Sequence, residues 1–236
     1  MNKSEFEKFL KELCPWVTQQ TFELLEKYKS VLQRENQKYN LTRLDSEDLV
    51  YGNYFLESLI PYIKTGLLDE NDTKSLLDIG SGSGIPGIVL KILFPKLKVT
   101  VLDSNNKKTE FLNLLVEELQ LTDVTVVYDR AENWAKNHHE EFDIVTSRAV
   151  SGLYKILELS SAFCKINGLI IQPKSLKAEE EFKEAQGTIK TLHLSLEDKV
   201  TFNFLEHKHH VFVFIKNKAT PKQYPRSWQQ IMKKPL

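Results

Sequence analysis

Three alternating glycines follow a short apolar run in the segment Ser75-Leu-Leu-Asp-Ile-Gly-Ser-Gly-Ser-Gly-Ile-Pro-Gly87, and this segment constrains the fold more than any other. Because glycine has no Cβ, the backbone N–H groups at Gly80, Gly82 and Gly84 are open to a ligand that side chains would otherwise block. Pro86 suits the first turn of a helix, whose free N–H groups add further donors. The segment therefore predicts a strand, a ligand-binding turn and a helix.

Asp103 closes the next apolar run, and a carboxylate at this place accepts hydrogen bonds from both hydroxyls of a ribose lying across the strand ends. Together with the glycines it predicts a site for an adenosine-type cofactor. The segment from Gly82 to Gly87 also satisfies the dinucleotide pattern GxGxxG, which alone is a weak signal. The pattern DxGxGxG from Asp78 resembles the first motif of S-adenosylmethionine-dependent methyltransferases and so favours that cofactor. A nicotinamide cofactor and a structural turn without a ligand remain open at this point.

Length and composition indicate one sizeable globular domain with a small appendage, since the 236 residues are 41% hydrophobic and 27% charged. No apolar run approaches the roughly 18 residues that a membrane span needs, and the first residues lack a signal-peptide core, so we expect a cytoplasmic protein with no membrane partner.

Cys14 and Cys164 lie far apart without CxxC spacing, which argues against a disulfide framework or a zinc cage. Neighbouring histidines in 207–210 would point to opposite faces of a strand, so no metal site is expected.

Charge is unevenly distributed along the chain although the net charge is zero. Residues 207–236 contain seven lysines and arginines and no acid, among them Lys222, Arg226, Lys233 and Lys234, whereas the rest of the chain is acidic. A basic end on an acidic body predicts contact with a phosphate backbone, and a solvated tail is the alternative.

Helical patterns dominate the residues before the glycine segment. Ser4 and Glu7 fit a capping box at the start of a first helix, and apolar spacing predicts a second helix from about Thr18 toward Gln37. A third helix is expected from Asp45 or Ser46. We therefore predict an N-terminal helical appendage over residues 1–72.

From residue 73 onward strand and helix patterns alternate, which predicts a parallel sheet with helices on both faces. The last two strands are separated by only a few residues and must be antiparallel. We predict an α/β fold with a doubly wound, mainly parallel sheet of seven strands over residues 73–216, followed by a basic C-terminal tail over 217–236. The predicted strands are 76–79, 98–102, 124–128, 142–146, 168–172, 200–205 and 210–215.

Several blocks together resemble the bacterial small-subunit ribosomal RNA methyltransferase G family, also called glucose-inhibited division protein B. The glycine block is shared by many methyltransferases, whereas the asparagine block, Ser147-Arg-Ala149 and the proline-punctuated tail are more specific. The matching residues are Asn36, Tyr39-Asn-Leu-Thr42, Leu56, Ser58, Asp78 to Gly87, Leu102-Asp-Ser104, Lys107, Phe111-Leu112, Arg130-Ala-Glu132, Phe142-Asp143, Ser147-Arg-Ala149, Tyr224-Pro-Arg226 and Lys233-Lys-Pro-Leu236.

The resemblance implies a class I, Rossmann-like methyltransferase that transfers a methyl group from S-adenosylmethionine to N7 of a specific guanine in 16S ribosomal RNA. It implies 16S rRNA, or a small-subunit assembly intermediate, as partner, and we expect a monomer. It also implies contacts with the cofactor, in addition to Gly82 and Asp103, from Gly80, Ile85, Ala131, Glu132 and Arg148.

Guanine N7 already carries an exposed lone pair, so the implied reaction needs no base to deprotonate it, and no catalytic residue is assigned. Ser147 and Arg148 are candidates for positioning the reactants, and Arg148 is also expected to contact either the cofactor carboxylate or the RNA. Tyr54, Tyr224 and Trp228 are candidates for stacking on a splayed base.

Four positions differ from the family's usual residues. Glu35 replaces tryptophan, Tyr54 and Glu57 replace histidine and aspartate, and Ser175 replaces glycine. A nicotinamide-dependent oxidoreductase and a noncatalytic RNA-binding protein remain the alternatives to a methyltransferase.

Overall fold

The computed structural model describes residues 1–39, 41, 46–204 and 207–236. Asp45, the earlier of the two predicted starts of the third helix, lies outside these residues. Asn40 and Thr42 of the asparagine block and Leu205 at the end of a predicted strand do so as well.

Seven strands form one sheet in the spatial order β3-β2-β1-β4-β5-β7-β6. The first five strands are mutually parallel, and β7 pairs antiparallel with both β5 and β6. The predicted fold class and the predicted antiparallel pair are therefore confirmed. The strands are β1 (Ser75–Ile79), β2 (Lys98–Asp103), β3 (Val124–Tyr128), β4 (Phe142–Thr146), β5 (Cys164–Lys174), β6 (Leu194–Phe204) and β7 (His207–Lys216).

Helices cover both faces of the sheet because successive side chains along each central strand point to opposite sides. Leu76 and Val101 belong to one buried apolar cluster, whereas Leu77 and Leu102 belong to the other. The helices are α1 (Lys3–Leu13), α2 (Gln19–Tyr39), α3 (Glu47–Leu49), α4 (Glu57–Thr65), α5 (Gly87–Leu93), α6 (Asn106–Glu118), α7 (Ala131–Trp134), α8 (Leu153–Phe163), α9 (Ala178–Glu184), α10 (Gln186–Thr191) and α11 (Trp228–Lys233).

The N-terminal helices pack mainly against α5 and α6, and α4 also contacts β6. Phe6, Leu10 and Phe55 share one apolar cluster with Ile88 and Val99. The predicted capping box of Ser4 with Glu7 is wrong, because α1 begins two residues earlier than that box requires. Asn2 caps the helix instead, and its side chain and that of Glu5 each accept a hydrogen bond from the other residue's backbone N–H.

A π-helix over Val50–Leu56 joins α3 to α4. It buries nearly all of its side chains against the core, including Tyr54 and Phe55. Such wide turns are frequent at functional sites, because they offer backbone groups and side chains in directions that an α-helix does not.

The C-terminal segment, residues 217–236, is docked on the domain. Ile231 of α11 is fully buried in the second apolar cluster. The guanidinium of Arg226 forms an ion pair with the fully buried carboxylate of Glu158, with 2.7 Å between Nη2 and Oε2. A solvated tail therefore does not describe this segment. Within the described ranges, no helix combines the length and the apolar character required to cross a membrane.

Candidate cofactor site and an adjoining cleft

The candidate site lies at the carboxyl ends of β1, β2 and β4, where the strand order reverses between β1 and β4. Helices that follow these two strands leave on opposite faces of the sheet, which opens a crevice for a ligand. Gly80 follows β1, Asp103 ends β2 and Arg148 follows β4.

The glycine loop depends on backbone conformations that residues with side chains rarely adopt. Gly80, Gly82 and Gly84 have φ values of 70°, 60° and 101°. A Cβ on Gly80 would lie 2.6 Å from Cγ2 of Val150, so glycine is also required for the close approach of the loop after β4. The glycine loop and the loop after β4 therefore pack against each other at the crevice.

Asp103 ties the glycine loop to the end of β2. Its carboxylate accepts hydrogen bonds from the backbone N–H of Gly82 and that of Asn105, both at 2.9 Å, and the residue is 7% exposed. Each carboxylate oxygen has further lone pairs, so these bonds leave capacity for ribose hydroxyls.

Asp78, the first residue of the DxGxGxG pattern, has a structural position beneath the loop. Its Oδ2 accepts the backbone N–H of Gly87 at 2.9 Å, and Oδ1 has no hydrogen-bond partner among the described residues. Complete burial raises the pKa of Asp78 to about 7, since the charged carboxylate loses its hydration.

Two connected cavities form what we call the glycine-loop cleft. The part next to α7 has a volume of about 200 Å³ and that beside the loop about 530 Å³, and both are bordered by Gly80, Asp103 and Val150. The structure brings all seven predicted cofactor residues to the lining of this cleft, namely Gly80, Gly82, Ile85, Asp103, Ala131, Glu132 and Arg148.

Trp228 lines the part of the cleft next to α7, together with Ala131 and Leu102. The sequence suggested an RNA-stacking role for this residue, and nothing in its local pattern indicates a place in the cofactor site. Glu132 forms an ion pair with Arg130, with 2.5 Å between Oε1 and Nε, and the guanidinium of Arg130 lies 6.0 Å from the ring of Trp228.

Arg148 is held by the π-helix and the start of α4. Its Nη2 donates to the carbonyl of Asn53 at 2.9 Å and pairs with Oε2 of Glu57 at 3.1 Å, and its Nη1 donates to Ser58 Oγ. Ser147 is buried and donates to the Gln172 side chain on β5. Both residues therefore hold the loop after β4 in place, and the predicted contact of Arg148 with the cofactor or RNA stays a prediction.

A second cleft, of about 350 Å³, adjoins the first, and we call it the Arg148 cleft. It meets the glycine-loop cleft at Arg148, Ala149 and Val150. Ala149 has a φ of 55°, a conformation that costs an alanine about 1 kcal/mol or more and that turns the chain sharply between the two clefts. The other lining residues are Glu57, Pro61, Ser151, Pro173, Lys174, Ser175, Glu181, His209 and His210.

Among the predicted RNA-binding residues, Lys222, Lys233 and Lys234 are exposed, whereas Arg226 is paired with Glu158. The predicted stacking role of Tyr54 is wrong, because the residue is 1% exposed and its hydroxyl donates to the carbonyl of Ser83 at 3.0 Å. In the part of the chain that the structure describes, no three His, Cys, Asp or Glu side chains are grouped to hold a metal ion.

Comparison with known proteins identifies relatives along most of the chain. Residues 21–212 match the family model described as rRNA small subunit methyltransferase G. A Ureaplasma parvum protein named ribosomal RNA small subunit methyltransferase G is 49% identical over 236 residues and is covered completely, as is this chain. The protein of that name from Staphylococcus aureus strain Newman is 39% identical and covers 96% of this chain and 95% of its own length.

Solved structures show the same fold at low sequence identity. A SAM-dependent methyltransferase from Aquifex aeolicus has a TM-score of 0.55 at 19% identity, covering 75% of this chain and 97% of its own. Aeropyrum pernix fibrillarin with natively bound S-adenosyl-L-methionine has a TM-score of 0.53 at 13% identity, covering 66% and 74%.

Proposed function

Because the chain belongs to the rRNA small subunit methyltransferase G family, we propose that it transfers the methyl group of S-adenosylmethionine to N7 of one guanine in 16S rRNA. The observation that carries this proposal is the convergence of the seven predicted cofactor residues on one cleft, together with a second cleft that opens beside it at Arg148.

The lining of the glycine-loop cleft fits S-adenosylmethionine. Asp103 is placed to accept the ribose hydroxyls, and the apolar surface of Leu102, Ala131 and Trp228 suits an adenine ring. Gly80 and Gly82 leave the backbone accessible to the methionine portion. When bound, this cofactor supplies an activated methyl group on a sulfonium centre.

The chain's own contribution to the reaction is positioning. Guanine N7 needs no deprotonation, so the protein has to hold the base in line with the methyl group and exclude competing orientations. Ala149 and Val150, at the junction of the two clefts, mark where these groups would meet. The ion pair and hydrogen bonds of Arg148 keep this junction rigid.

RNA binding belongs to the exposed lysines of the C-terminal segment, Lys222, Lys233 and Lys234, because each is free to approach a phosphate. We assign Arg226 to anchoring this segment on Glu158. The partner is 16S rRNA, or a small-subunit assembly intermediate that exposes the target guanine, which places the enzyme in the cytoplasm.

The proposal is tested by incubating the protein with labelled S-adenosylmethionine and either 16S rRNA or small subunits from cells that lack this methylation. We expect one methyl group per RNA, located at N7 of a single guanine. Calorimetry should show binding of S-adenosylmethionine and none of NADH. Tight binding of NADH, or cofactor binding without methyl transfer to either substrate, would contradict the proposal.

A further inference from the structure

The Arg148 cleft has the size and place of a binding site for the base that receives the methyl group. Its volume of about 350 Å³ lies at the lower end of the range for small-molecule sites, which suits a single base with part of its sugar. It shares Arg148, Ala149 and Val150 with the lining of the glycine-loop cleft, so the two clefts are neighbours at these residues. A base inserted here would present one edge to the cofactor and the opposite edge to the far wall.

Several charged groups around this cleft already have protein partners. Lys174 donates to the carbonyl of Ser151 at 2.7 Å and pairs with Glu181 at 3.0 Å. Glu181 also accepts the backbone N–H of Leu153 at 2.8 Å, at the start of α8. These interactions hold the wall together and give Glu181 a structural role.

Glu57 differs from Glu181 in its partner, because Glu57 pairs with Arg148, which lines both clefts, whereas Glu181 uses its Oε2 for Lys174 and for the N–H of Leu153. Oε2 pairs with Nη2 of Arg148 at 3.1 Å, which fixes the direction of the carboxylate. Oε1 has no hydrogen bond to any described residue, and Nδ1 of His209 lies 3.9 Å away. The side chain is 25% exposed and lines the cleft, so a ligand can reach this oxygen.

We infer that Glu57 recognises the target base by accepting hydrogen bonds from the N1–H and the N2 amino group of guanine in the Arg148 cleft. This inference rests on the proposed function. Guanine presents N7 on one edge and these two donors on its Watson–Crick edge, so N7 can face the cofactor while the donors face Glu57.

A carboxylate at this position selects guanine over adenine. It has only acceptors when ionised, and it matches the two adjacent donors of guanine. Adenine offers an acceptor at N1 and no amino group at C2, so its N1 lone pair would face the negative charge of Glu57 and repel it. Arg148 is then a positioning residue, because its guanidinium holds the carboxylate that contacts the base.

The test compares guanine with inosine, which lacks the N2 amino group, at the target position of 16S rRNA reconstituted into small-subunit particles. For the unmodified protein we expect inosine to lower kcat/KM roughly 10- to 100-fold, since a site built for a donor rejects the analogue that lacks it. In Glu57→Gln the value for guanine should fall more than that for inosine, which keeps only the N1–H donor, so that the preference for guanine becomes smaller. Glu57→Asp, which retains the carboxylate, should restore part of the preference.

The controls separate base recognition from damage to the site. Dissociation constants for S-adenosylmethionine should agree within about twofold among the three proteins, since Glu57 does not line the glycine-loop cleft. Equal losses on guanine and inosine in Glu57→Gln, or an unchanged preference, would overturn the inference and leave guanine methylation intact. If the unmodified protein methylates no guanine, the proposed function fails and the inference fails with it.

Discussion

At the residue scale, the two aspartates that flank the glycine loop have different environments and different roles. Asp103 lines the cleft and accepts two backbone N–H donors, from Gly82 and Asn105, and its Oδ2 lies 4.0 Å from Nζ of Lys108. Asp78 is fully buried, and one of its oxygens has no partner among the described residues. Asp78 belongs to the DxGxGxG pattern and Asp103 to the end of β2, and the structure shows that Asp78 is fully buried beneath the loop whereas Asp103 lines the cleft.

Asp78 should make the stability of the protein depend on pH. Burial raises its folded-state pKa from 3.8 to about 7, so the folded state binds the proton more tightly than the unfolded chain. The free energy of unfolding should therefore fall as pH rises from about 4 to about 7, by at most about 1.4 kcal/mol per pH unit. Urea denaturation at pH 5 and pH 7 should show this loss in the unmodified protein and a smaller one in Asp78→Asn.

Asp143→Asn is the matched control for this experiment. Burial of Asp143 is outweighed by its ion pair with Lys165 and its hydrogen bonds from Ser75, which lower its pKa. Its contribution to stability is present above the ordinary aspartate pKa and is lost only in more acidic solution. An Asp78→Asn protein with the same loss between pH 5 and pH 7 as the unmodified protein would refute the assignment.

At the scale of elements, the π-helix and the C-terminal segment add residues to the site that the strand ends do not supply. The π-helix and the start of α4 supply the carbonyl of Asn53 and the side chains of Ser58 and Glu57 to Arg148. Two family departures fall here. Tyr54 binds the glycine loop through the carbonyl of Ser83, and Glu57 keeps the acidic character of the aspartate that it replaces.

The C-terminal segment should contribute to cofactor affinity through Trp228. Its ring lines the part of the cleft next to α7, where it would contact the adenine. We expect Trp228→Ala to raise the dissociation constant for S-adenosylmethionine roughly five- to tenfold, as the loss of about one aromatic contact predicts. Isothermal titration calorimetry measures this change.

Met232→Ala is the control on the same helix, since that side chain is exposed and does not line the cleft. It should leave the dissociation constant unchanged. If Trp228→Ala weakened RNA binding and left the cofactor affinity intact, the residue would serve the stacking role that the sequence first suggested.

At the scale of the whole molecule, exposed lysines near the C-terminus carry the positive charge that RNA can reach. The candidate site lies at the carboxyl edge of the sheet. Five of the seven cations in residues 207–236 are exposed lysines. The other two are Lys216, buried against Glu140, and Arg226, paired with Glu158. Fewer charges therefore reach RNA than the sequence count suggests.

Replacing both Lys233 and Lys234 with glutamine should weaken RNA binding and reduce its dependence on salt. For a single-stranded region, the slope of log affinity against log salt should become less steep by about 1.4, or roughly 0.7 for each lost phosphate contact. The cofactor dissociation constant should not change. Filter binding between about 50 and 200 mM salt measures the slope.

Lys96→Gln together with Lys98→Gln is the matched control, because these lysines lie at the amino end of β2, on the edge of the sheet opposite the site. The pair should leave the slope unchanged. An equal decrease in both double variants would show a general effect of charge and would remove the C-terminal lysines from the RNA interface.

The family resemblance added Ile85, Ala131, Glu132 and Arg148 as expected cofactor contacts. The sequence pattern alone predicted the seven strands, the parallel sheet with its antiparallel end, and Gly80, Gly82 and Asp103 at one edge of that sheet. It did so because alternating apolar residues, the glycine spacing and an acid at a strand end are local patterns, and the carboxyl ends of parallel strands meet at one edge. Gly80 and Asp103 were therefore identifiable before any coordinates were known.

The partners of Arg148, Arg226, Trp228 and Glu57 could not be read from the sequence. Each of them contacts residues that are distant along the chain, such as Glu158 for Arg226 and the π-helix for Arg148. The sequence shows that a cation is present, but it does not show which buried acid pairs with it, because that pairing depends on how distant parts of the chain pack together. For this reason the residues predicted from the sequence line one cleft, whereas the adjoining Arg148 cleft and the anchoring of the C-terminal segment depend on packing between distant parts of the chain.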